Sequence, residues 1–447
     1  MNFKQSAHGV LSRVRRRALT WLALAALAPA LVACGGSGSS SSSTASVRVA
    51  NVTLTHASLN LLVDAVASTQ ATAKDTVSSY ASVTSGARAF TFTDAGSTST
   101  ISSLTPTLTA DSHYTLVAYE SASTVKTILL SDNLDTPAAG VATLRLYNTA
   151  TEAGKLDVYI TSTPVTELTD VSTLSTAGSF SDTSAASAFS LSYGPGSYYV
   201  TVTGSGSPKD IRLLSMPLTL SSQQIATVLL TPASGGQLLD GALLFQQGAY
   251  SAYRNTGTRV RLASAVTGDA LVAASASHLD GSSWVDPGSV APQLGSYVLV
   301  PATSTLNVSV NGTPLGSATS GLVAGRDMTL LVYGSPSTAA ATLLTDDNRP
   351  PSSSASVKLR LINGISGNSA NLLTLTANSA TVASSVQPYT ASTYSAVTGS
   401  ANVMNLTLYS SQKAGVYFTN TSYVLNANSV YTVLAAGDFA APMLLIR

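Results

Sequence analysis

The sequence predicts an all-β protein, made of tandem immunoglobulin-like, two-sheet β-sandwich modules that follow a signal peptide and a flexible linker. Short runs in which apolar residues alternate with polar residues or threonine predict the strands, and clusters of Gly, Pro, Asn and Asp separate these runs. Leu306–Val310, with the sequence LNVSV, is one such run. A second observation is a strand with one arginine that recurs at domain-sized intervals. Modules of this size with several short strands suit two packed sheets.

The N-terminus has the charge pattern of a signal peptide, which we predict over residues 1–33. Basic residues without any acidic residue precede the apolar run 18–31, which is too short for a transmembrane helix of about 20 residues. The sequence LVAC at the end of this run resembles the lipobox of bacterial lipoproteins. The resemblance implies cleavage between Ala33 and Cys34 and acylation of the cysteine. The alternative is an ordinary secretory signal with a chance cysteine.

Cys34 is the only cysteine in 447 residues, so it has no partner for a disulfide in an oxidising exported compartment. Residues 34–46 continue from it as a Gly/Ser-rich tract, which predicts a flexible tether. The expected partner is a lipid bilayer, because several acyl chains of the palmitate type hold a protein durably. Gly35 is not the Asp associated with inner-membrane retention in similar lipoproteins. The resemblance therefore favours the outer membrane, on its periplasmic side or at the cell surface.

Charge and composition exclude two classes of protein. Beyond residues 1–33 the chain keeps 17 basic and 21 acidic residues, a net charge near −4, which gives no electrostatic footprint for nucleic acid. Apolar residues make up 45% of the chain and charged residues 10%, which is too apolar for a disordered polymer. About 400 mature residues exceed one ordinary core, so several domains are expected.

Internal repetition predicts four modules. The arginine strands are VRVAN, LRLYN, VRLAS and LRLIN, and their arginines are 97, 116 and 99 residues apart. A late strand closes each unit, and acidic turns that end in proline follow the first and third units, which favours two halves of two modules each. The arginines are Arg48, Arg145, Arg261 and Arg360, and the predicted modules span residues 47–138, 139–250, 254–350 and 355–447.

The order of these motifs resembles the bacterial domain-of-unknown-function 4397 family. The shared order is an arginine strand, an LDVY strand, a tyrosine-containing hairpin and a YTV closing strand, with a D-x-x-x-P turn between units. LRLYN and KLDVYI, which contain Arg145 and Asp157, carry the resemblance most closely. It covers nearly all of residues 46–447 and is weakest in the third unit. The resemblance implies tandem β-sandwich modules in exported and lipid-anchored proteins, without enzymatic activity.

The four arginines are the first candidate binding residues, because a charged side chain repeated in an apolar strand can contact a ligand. A structural role also explains the repetition. Such an arginine either lies on the solvent face with its stem packed, or pairs with an acid across the sheet. We favour a structural role, because the same position in the fold repeats.

The turns between modules are candidate calcium sites. Ca²⁺ takes about six to eight oxygen ligands, and acidic side chains cluster where two modules are expected to meet. Asp and Asn before proline are also ordinary turn formers, and neither turn has a Glu for bidentate closure. No other cofactor or metal is expected. The candidate ligands are Asp132, Asn133, Asp135, Asp346, Asp347 and Asn348.

Residues suited to catalysis are sparse, and no catalytic residue is predicted. His56, His113 and His278 are isolated in the mature sequence, which contains no G-x-S-x-G motif and no clustered histidine pair for zinc. Trp284 is the one tryptophan of the mature chain and lies in the turn-rich sequence DGSSWVDPGS. It is the candidate for ligand contact. Its alternative role is to fold back over the end of a sandwich.

We therefore expect a non-catalytic cell-envelope lipoprotein with a structural, adhesive or interaction role and an envelope or extracellular partner. One alternative is a periplasmic or surface glycan-binding protein, which requires exposed aromatic rings that converge on one module. A second is an envelope hydrolase, which requires a histidine and an acid within hydrogen-bond reach of a serine.

Overall fold

Strands account for nearly all of the regular structure, as the sequence predicts. The computed structural model describes residues 43–121, 124–165, 171–181, 187–276, 284–316, 321–398 and 403–447. Within these ranges one short 3₁₀ helix, Thr151–Ala153, accompanies the strands, and no helix is long and apolar enough to cross a membrane. The chain from Ser42 to Arg447 forms one compact unit.

The first segment contains two main sheets and a small third one. Its strands are β1 (Thr44–Asn51), β2 (Ser58–Val63), β3 (Val66–Ala73), β4 (Thr76–Val77), β5 (Ala81–Thr84), β6 (Gly86–Ala87), β7 (Phe90–Asp94), β8 (Thr100–Leu104), β9 (Thr107–Leu108), β10 (His113–Ser121) and β11 (Thr124–Ser131). One sheet has the order β11-β10-β1-β4, with β5 also beside β1, and the other has the order β3-β2-β7-β8. Strands β6 and β9 pair separately.

The second segment repeats the two-sheet arrangement. Its strands are β12 (Ala142–Asn148), β13 (Leu156–Thr161), β14 (Gly178–Phe180), β15 (Ser187–Tyr193), β16 (Gly196–Gly204), β17 (Ser207–Leu220), β18 (Ile225–Pro232), β19 (Leu239–Phe245) and β20 (Tyr250–Tyr253). The sheet orders are β15-β12-β18-β19-β20 and β14-β13-β16-β17.

The third segment also has two sheets, although its sequence repeat is the weakest. Its strands are β21 (Gly257–Val266), β22 (Leu271–Ala276), β23 (Trp284–Val290), β24 (Gln293–Leu294), β25 (Val298–Pro301), β26 (Leu306–Val310), β27 (Thr313–Pro314), β28 (Asp327–Gly334) and β29 (Ala340–Asp346). The orders are β24-β21-β28-β29, with β25 also beside β21, and β23-β22-β26-β27.

The fourth segment completes the series. Its strands are β30 (Ser356–Asn363), β31 (Leu373–Ala377), β32 (Ala380–Val386), β33 (Ser395–Thr398), β34 (Val403–Ser410), β35 (Lys413–Val424), β36 (Ser429–Asp438) and β37 (Ala441–Ile446). The orders are β33-β30-β36-β37 and β32-β31-β34-β35.

Each arginine strand pairs in parallel with the late strand of its own segment, namely β1 with β10, β12 with β18, β21 with β28 and β30 with β36. The register of each pair places the arginine opposite a threonine. The opposed residues are Arg48 and Thr115, Arg145 and Thr227, Arg261 and Thr329, and Arg360 and Thr432. One chemical pair is therefore placed at the same position of all four segments.

A buried asparagine ends three of the arginine strands, in the segments where the sequence reads RVAN, RLYN and RLIN. In the fourth segment the Asn363 side-chain N–H groups donate to the carbonyls of Asn371 (2.9 Å) and Val386 (3.0 Å), and its side-chain oxygen accepts the Ile365 N–H (3.3 Å). The amide thereby pairs with backbone groups where the chain leaves the sheet ladder.

The arginine strands are largely buried on both faces, β21 completely and β12 with Thr143 and Tyr147 half-buried. In β21, Val260 and Leu262 pack into the core between the two sheets of the third segment. Successive side chains of a strand point to opposite faces, so Arg261 and Ala263 lie on the other face, and they are buried as well. This second face must be covered by another part of the chain.

Neighbouring segments cover these second faces in pairs. Apolar residues of the first and second segments form one cluster, and those of the third and fourth segments form another. The first cluster contains Ala50, Val52, Val117, Tyr119, Leu130, Leu229, Ala242 and Leu244. The second contains Ala263, Ala265, Leu294, Leu331, Ile362, Leu434 and Ala436. Hydrophobic burial thus joins the arginine-bearing sheets face to face.

Candidate functional site

The repeated arginines are buried side chains with defined partners. Arg48 and Arg261 are each 3% exposed and Arg360 is 1% exposed. In these three segments the arginine Nε donates to the hydroxyl of the opposed threonine, at 2.8 Å for Arg48, 2.9 Å for Arg261 and 3.2 Å for Arg360. Of the two structural roles left open by the sequence, these three arginines show the second, because each lies within ion-pair distance of an acid.

An aspartate and a tyrosine complete the cluster in the first segment. The Asp132 carboxylate accepts hydrogen bonds from the Tyr80 hydroxyl (2.6 Å) and the Thr115 hydroxyl (2.5 Å), and lies 3.5 Å from Arg48 Nη2. The Arg48 guanidinium also lies 4.8 Å from the centre of the Tyr80 ring. The arginine is therefore held from several directions within its own segment.

The same arginine reaches the second segment. Arg48 Nη1 donates to the carbonyl of Gly248 (2.7 Å), and Nη2 donates to the carbonyl of Phe245 (3.0 Å). In return, Arg145 Nη1 donates to the carbonyl of Ser131 (3.3 Å) in the first segment, and its Nη2 donates to the Tyr147 hydroxyl (2.7 Å). These hydrogen bonds connect the two segments beside their shared apolar cluster.

The third and fourth segments share one cluster through reciprocal contacts. Arg261 Nη2 donates to the Thr432 hydroxyl (2.6 Å) of the fourth segment, and Arg360 Nη2 donates to the Thr329 hydroxyl (3.1 Å) of the third. Asp346 lies between the two arginines. It accepts a hydrogen bond from Arg360 and is 3.7 Å from Arg261 Nη2. Two buried cations therefore share one carboxylate.

Burial and charge determine the protonation of this cluster. Asp346 also accepts hydrogen bonds from the hydroxyls of Tyr297 and Thr329. Burial raises the pKa of Tyr297 well above its usual value, so the phenol keeps its proton and donates it. Burial alone would lower the pKa of Arg360, but the charge of Asp346 raises it. The guanidinium accordingly stays charged inside the protein.

Most side chains of the acidic turns predicted as calcium sites make hydrogen bonds or ion pairs with other protein groups. Asp132 and Asp346 belong to the arginine clusters. The Asn133 side-chain oxygen accepts the His113 N–H (2.8 Å), whereas Asp135 is exposed. The Asn348 amide donates to Asp327 (2.7 Å). The described residues contain no group of three or more His, Cys, Asp or Glu side chains placed to hold a metal ion. Calcium binding stays a prediction.

Asp347, the remaining turn residue, accepts hydrogen bonds from Arg349 Nε (2.8 Å) and lies 3.0 Å from Lys358 Nζ. Burial opposes ionisation, but these two cations lower the pKa of the Asp347 carboxyl to about 2. The folded pKa lies below the unfolded value of about 3.9, so the stabilisation is complete above that value and is lost as pH falls towards 2.

Asp347→Asn is therefore expected to lower the free energy of unfolding by about 1 kcal/mol at pH 6, a figure reduced for solvent screening because the side chain is 35% exposed. Thermal melting of the two proteins at pH 6, 4 and 3 checks this. The difference in Tm should shrink as the pH falls below 4. A difference that stays constant down to pH 3 would contradict the assignment.

The remaining candidates from the sequence are dispersed. His56 Nδ1 lies 2.6 Å from Asp94, and its Nε2 lies 3.8 Å from Glu120. Within the described residues no serine hydroxyl bonds to this histidine. The predicted loop at Trp284 is wrong, because this residue begins β23 and pairs with Ser275 of the adjacent strand.

Several candidates cannot be placed in the fold. The Trp284 side chain, His278, Ala33 and Cys34 lie outside the described residues. Ligand contact by the tryptophan and acylation of the cysteine therefore stay predictions.

A cleft of about 840 Å³ opens where the second, third and fourth segments meet. Arg259 and Arg261 of β21 line it, together with Lys209 and Asp210 of β17 and Arg447, which follows β37. Lys209 and Arg447 are exposed, whereas the two β21 arginines are buried. Among the described lining residues, basic side chains outnumber acidic ones by four to one.

Arg259 is matched by acids on two sides. Its Nε and Nη2 donate to the Asp327 carboxylate (2.9 and 2.8 Å), and its Nη1 donates to Asp210 (3.1 Å). Burial alone would raise the pKa of Asp210, but hydrogen bonds and charge from Arg212 and Arg259 lower it, so the carboxylate is ionised. This part of the cleft wall is a balanced ionic network.

The sequence signal for the cleft was the second arginine of the third unit. That unit reads RVRLAS, with Arg259 two residues before the repeated Arg261, whereas the first two units have Ser46 and Thr143 at this position. Period-two alternation places both arginines on one face of β21. The other walls come from distant parts of the chain, and no local pattern marks them.

A family model for a domain of unknown function (DUF4397) matches residues 45–159. This part of the chain resembles the DUF4397 family. The match begins at the first arginine strand, includes LRLYN and ends within KLDVYI, which confirms the resemblance carried by those motifs. The resemblance of residues 160–447 to DUF4397 stays a prediction. Comparison with curated proteins gives no match.

Two solved structures show distant similarity to this chain. The tip fimbrial protein Mfa3 from Porphyromonas gingivalis, with a C-terminal truncation, is 7% identical with a TM-score of 0.21, and the alignment covers 46% of this chain and 99% of that one. The Bacillus anthracis TIE protein is 8% identical with a TM-score of 0.14, with coverage of 65% and 50%. At these TM-scores neither likeness bears on function.

Proposed function

We propose that this chain is a non-catalytic lipoprotein of the cell envelope with a structural or adhesive role. Acylated Cys34 attaches it to a membrane, most consistently the outer membrane, and the tether 34–46 separates the lipid from the folded part. The β-sandwich modules 47–138, 139–250, 254–350 and 355–447 form the array that meets an envelope or extracellular partner.

The observation that carries this proposal is the use of the repeated arginines. Arg48, Arg261 and Arg360 are buried and bond across segment boundaries, to Gly248, Thr432 and Thr329 respectively. These charged side chains join segments to one another. Such contacts suit an array that holds its shape while it is tethered at one end.

Protease treatment of intact cells tests the proposal. Wild-type protein is expected in the membrane fraction and to be digested by external protease, whereas Cys34→Ala is expected in the soluble fraction because it cannot be acylated. Ser39→Ala, in the same tether, is the matched control and should behave as wild type. Soluble wild-type protein would overturn the lipid anchor. Protection of membrane-bound wild type from protease would overturn a role in adhesion.

A further inference from the structure

We propose that the cleft between the second, third and fourth segments binds the carboxylate of an acidic saccharide. This inference goes beyond the structural or adhesive role and requires neither membrane attachment nor surface exposure. It rests on an unmatched positive charge beside the cleft and on the chemistry of the remaining lining residues.

The unmatched charge belongs to the cluster of the third and fourth segments. Arg261 and Arg360 share the single carboxylate of Asp346, and Arg360 makes the direct hydrogen bond. Arg261 is 3.7 Å from that carboxylate, and its own side chain is only 4% exposed. A buried charge is costly unless it is paired, so this arginine is the group that gains most from an additional anion.

Arg261 also has a donor available. Its Nε and Nη2 bond to Thr329 and Thr432, but Nη1 makes no hydrogen bond within the described part of the chain. The equivalent Arg48 uses all three nitrogens, because Gly248 accepts a hydrogen bond from its Nη1. Only Arg261 of these two lines the cleft. A carboxylate at Nη1 would accept this hydrogen bond and balance the charge.

The acidic side chain in the cleft wall does not balance the positive charge of Arg261. Asp210 is the acid among the described lining residues, and its charge is matched by Arg212 and Arg259. The Arg447 side chain at the cleft adds a positive charge, and among the described residues its hydrogen bonds go to the Leu294 carbonyl and the Ser296 hydroxyl rather than to an acid. Among the described lining residues, Arg261 and Arg447 therefore favour an anion in the cleft.

The other lining groups favour a saccharide over a small inorganic anion. Gln237, Asn428 and Ser429 supply amide and hydroxyl groups, which can both donate to and accept from sugar hydroxyls. Pro208 and Pro350 supply apolar surface for the C–H face of a sugar ring. The volume of about 840 Å³ falls in the usual range for small-molecule sites. A uronic acid unit combines all three features.

Isothermal titration calorimetry of the full chain in detergent tests the site, with trigalacturonate as the probe and maltotriose as its neutral counterpart. Trigalacturonate should bind, and raising the salt from about 50 to about 500 mM should weaken binding, because these charges are partly exposed. Arg447→Gln should weaken binding several-fold. Lys413→Gln removes the same charge from an exposed position elsewhere and should leave binding unchanged.

A second variant tests the buried donor. Arg261→Lys keeps the charge but loses the forked donor geometry, so it should bind trigalacturonate more weakly than wild type does. Circular dichroism reports whether the variant retains the fold. Absence of binding by trigalacturonate would overturn the proposal. Equal binding of maltotriose, or equal loss in the control variant, would also overturn it. Acetate competing as effectively as trigalacturonate would reduce the site to one for an adventitious ion only. None of these results depends on where the protein resides in the cell.

Discussion

Asp346→Asn is expected to lower the free energy of unfolding by about 3 to 5 kcal/mol, the largest effect that we expect from a single substitution in this chain. The wild-type carboxylate is 1% exposed and balances Arg261 and Arg360. The amide would leave two buried guanidinium groups without an anion. Its NH₂ group would also face hydroxyls that now donate to the carboxylate, from Tyr297 and Thr329.

Arg360→Met should cost less than Asp346→Asn, because Asp346 would retain Arg261 and both hydroxyl donors. This order distinguishes a shared carboxylate from an ordinary ion pair, for which loss of either partner has a similar cost. Asp347→Asn is the matched control, since it alters the adjacent and more exposed carboxylate. Scanning calorimetry measures the effects, with an expected fall in Tm of about 5 °C for Asp346→Asn. Equal melting of the two aspartate variants would contradict the assigned role of Asp346.

Gly364→Ala is expected to destabilise the contact between the third and fourth segments by about 1 to 3 kcal/mol, as overpacking generally does. A Cβ at this position would lie 2.6 Å from the Ala265 Cβ and 3.0 Å from the carbonyl oxygen of Ala435. Ala265 is the counterpart of Gly364, because each is four residues after the repeated arginine of its unit. Equivalent positions meet at this contact, so both must be small.

Gly194→Ala is the matched control for this substitution. Gly194 lies between β15 and β16, and a Cβ there would have no atom within 4 Å. Removing a glycine also restricts the unfolded chain, so this variant should be neutral or more stable by up to about 1 kcal/mol. The two alanine variants should thus shift the Tm in opposite directions or by clearly different amounts. A Gly364→Ala variant as stable as wild type would show that the contact accommodates a methyl group.

The sequence predicted the class of fold because the relevant information is local. Alternation in runs such as Leu306–Val310 reports one buried face, and the glycine- and proline-rich clusters report the turns. It did not predict that the arginine strands pair in parallel with the late strands. A parallel partner such as β10 lies far along the chain from β1, and nothing within either strand encodes the direction of pairing.

The role of the arginines was predictable only in part. Repetition at one fold position indicated a structural residue, but the partners of Arg360 come from its own late strand and from the preceding segment. The acidic turns were recognised as features of the first and third units only. In the structure Asp346 provides one carboxylate for the arginines of two segments, whereas Asp132 pairs with Arg48 of its own segment. These carboxylates face an arginine rather than a metal ion because of the way whole sheets pack, and a local sequence pattern does not encode that packing.

The sequence marks one wall of the cleft through Arg259 but not the cleft as a whole, because the described lining residues come from seven separate stretches of the chain. Asp210, Arg259 and Arg447 are brought together only when three segments pack. Trp284 shows where a local pattern was misleading. The turn-forming residues around it predicted a loop, but the residue lies in a strand that pairs with β22. Tertiary pairing overrode local preference at this position.

The reciprocal bonds from Arg261 to Thr432 and from Arg360 to Thr329 have the form of an interface between two identical subunits, reproduced within one polypeptide. Either segment expressed alone would present half of such an interface to water, with a guanidinium and apolar residues such as Ile362 and Leu434 uncovered. Two copies of the isolated segment would then cover each other's exposed faces. Fragments for biochemical work should accordingly keep the third and fourth segments together, and should also keep the second segment, whose Asp210 pairs with Arg259 of the third.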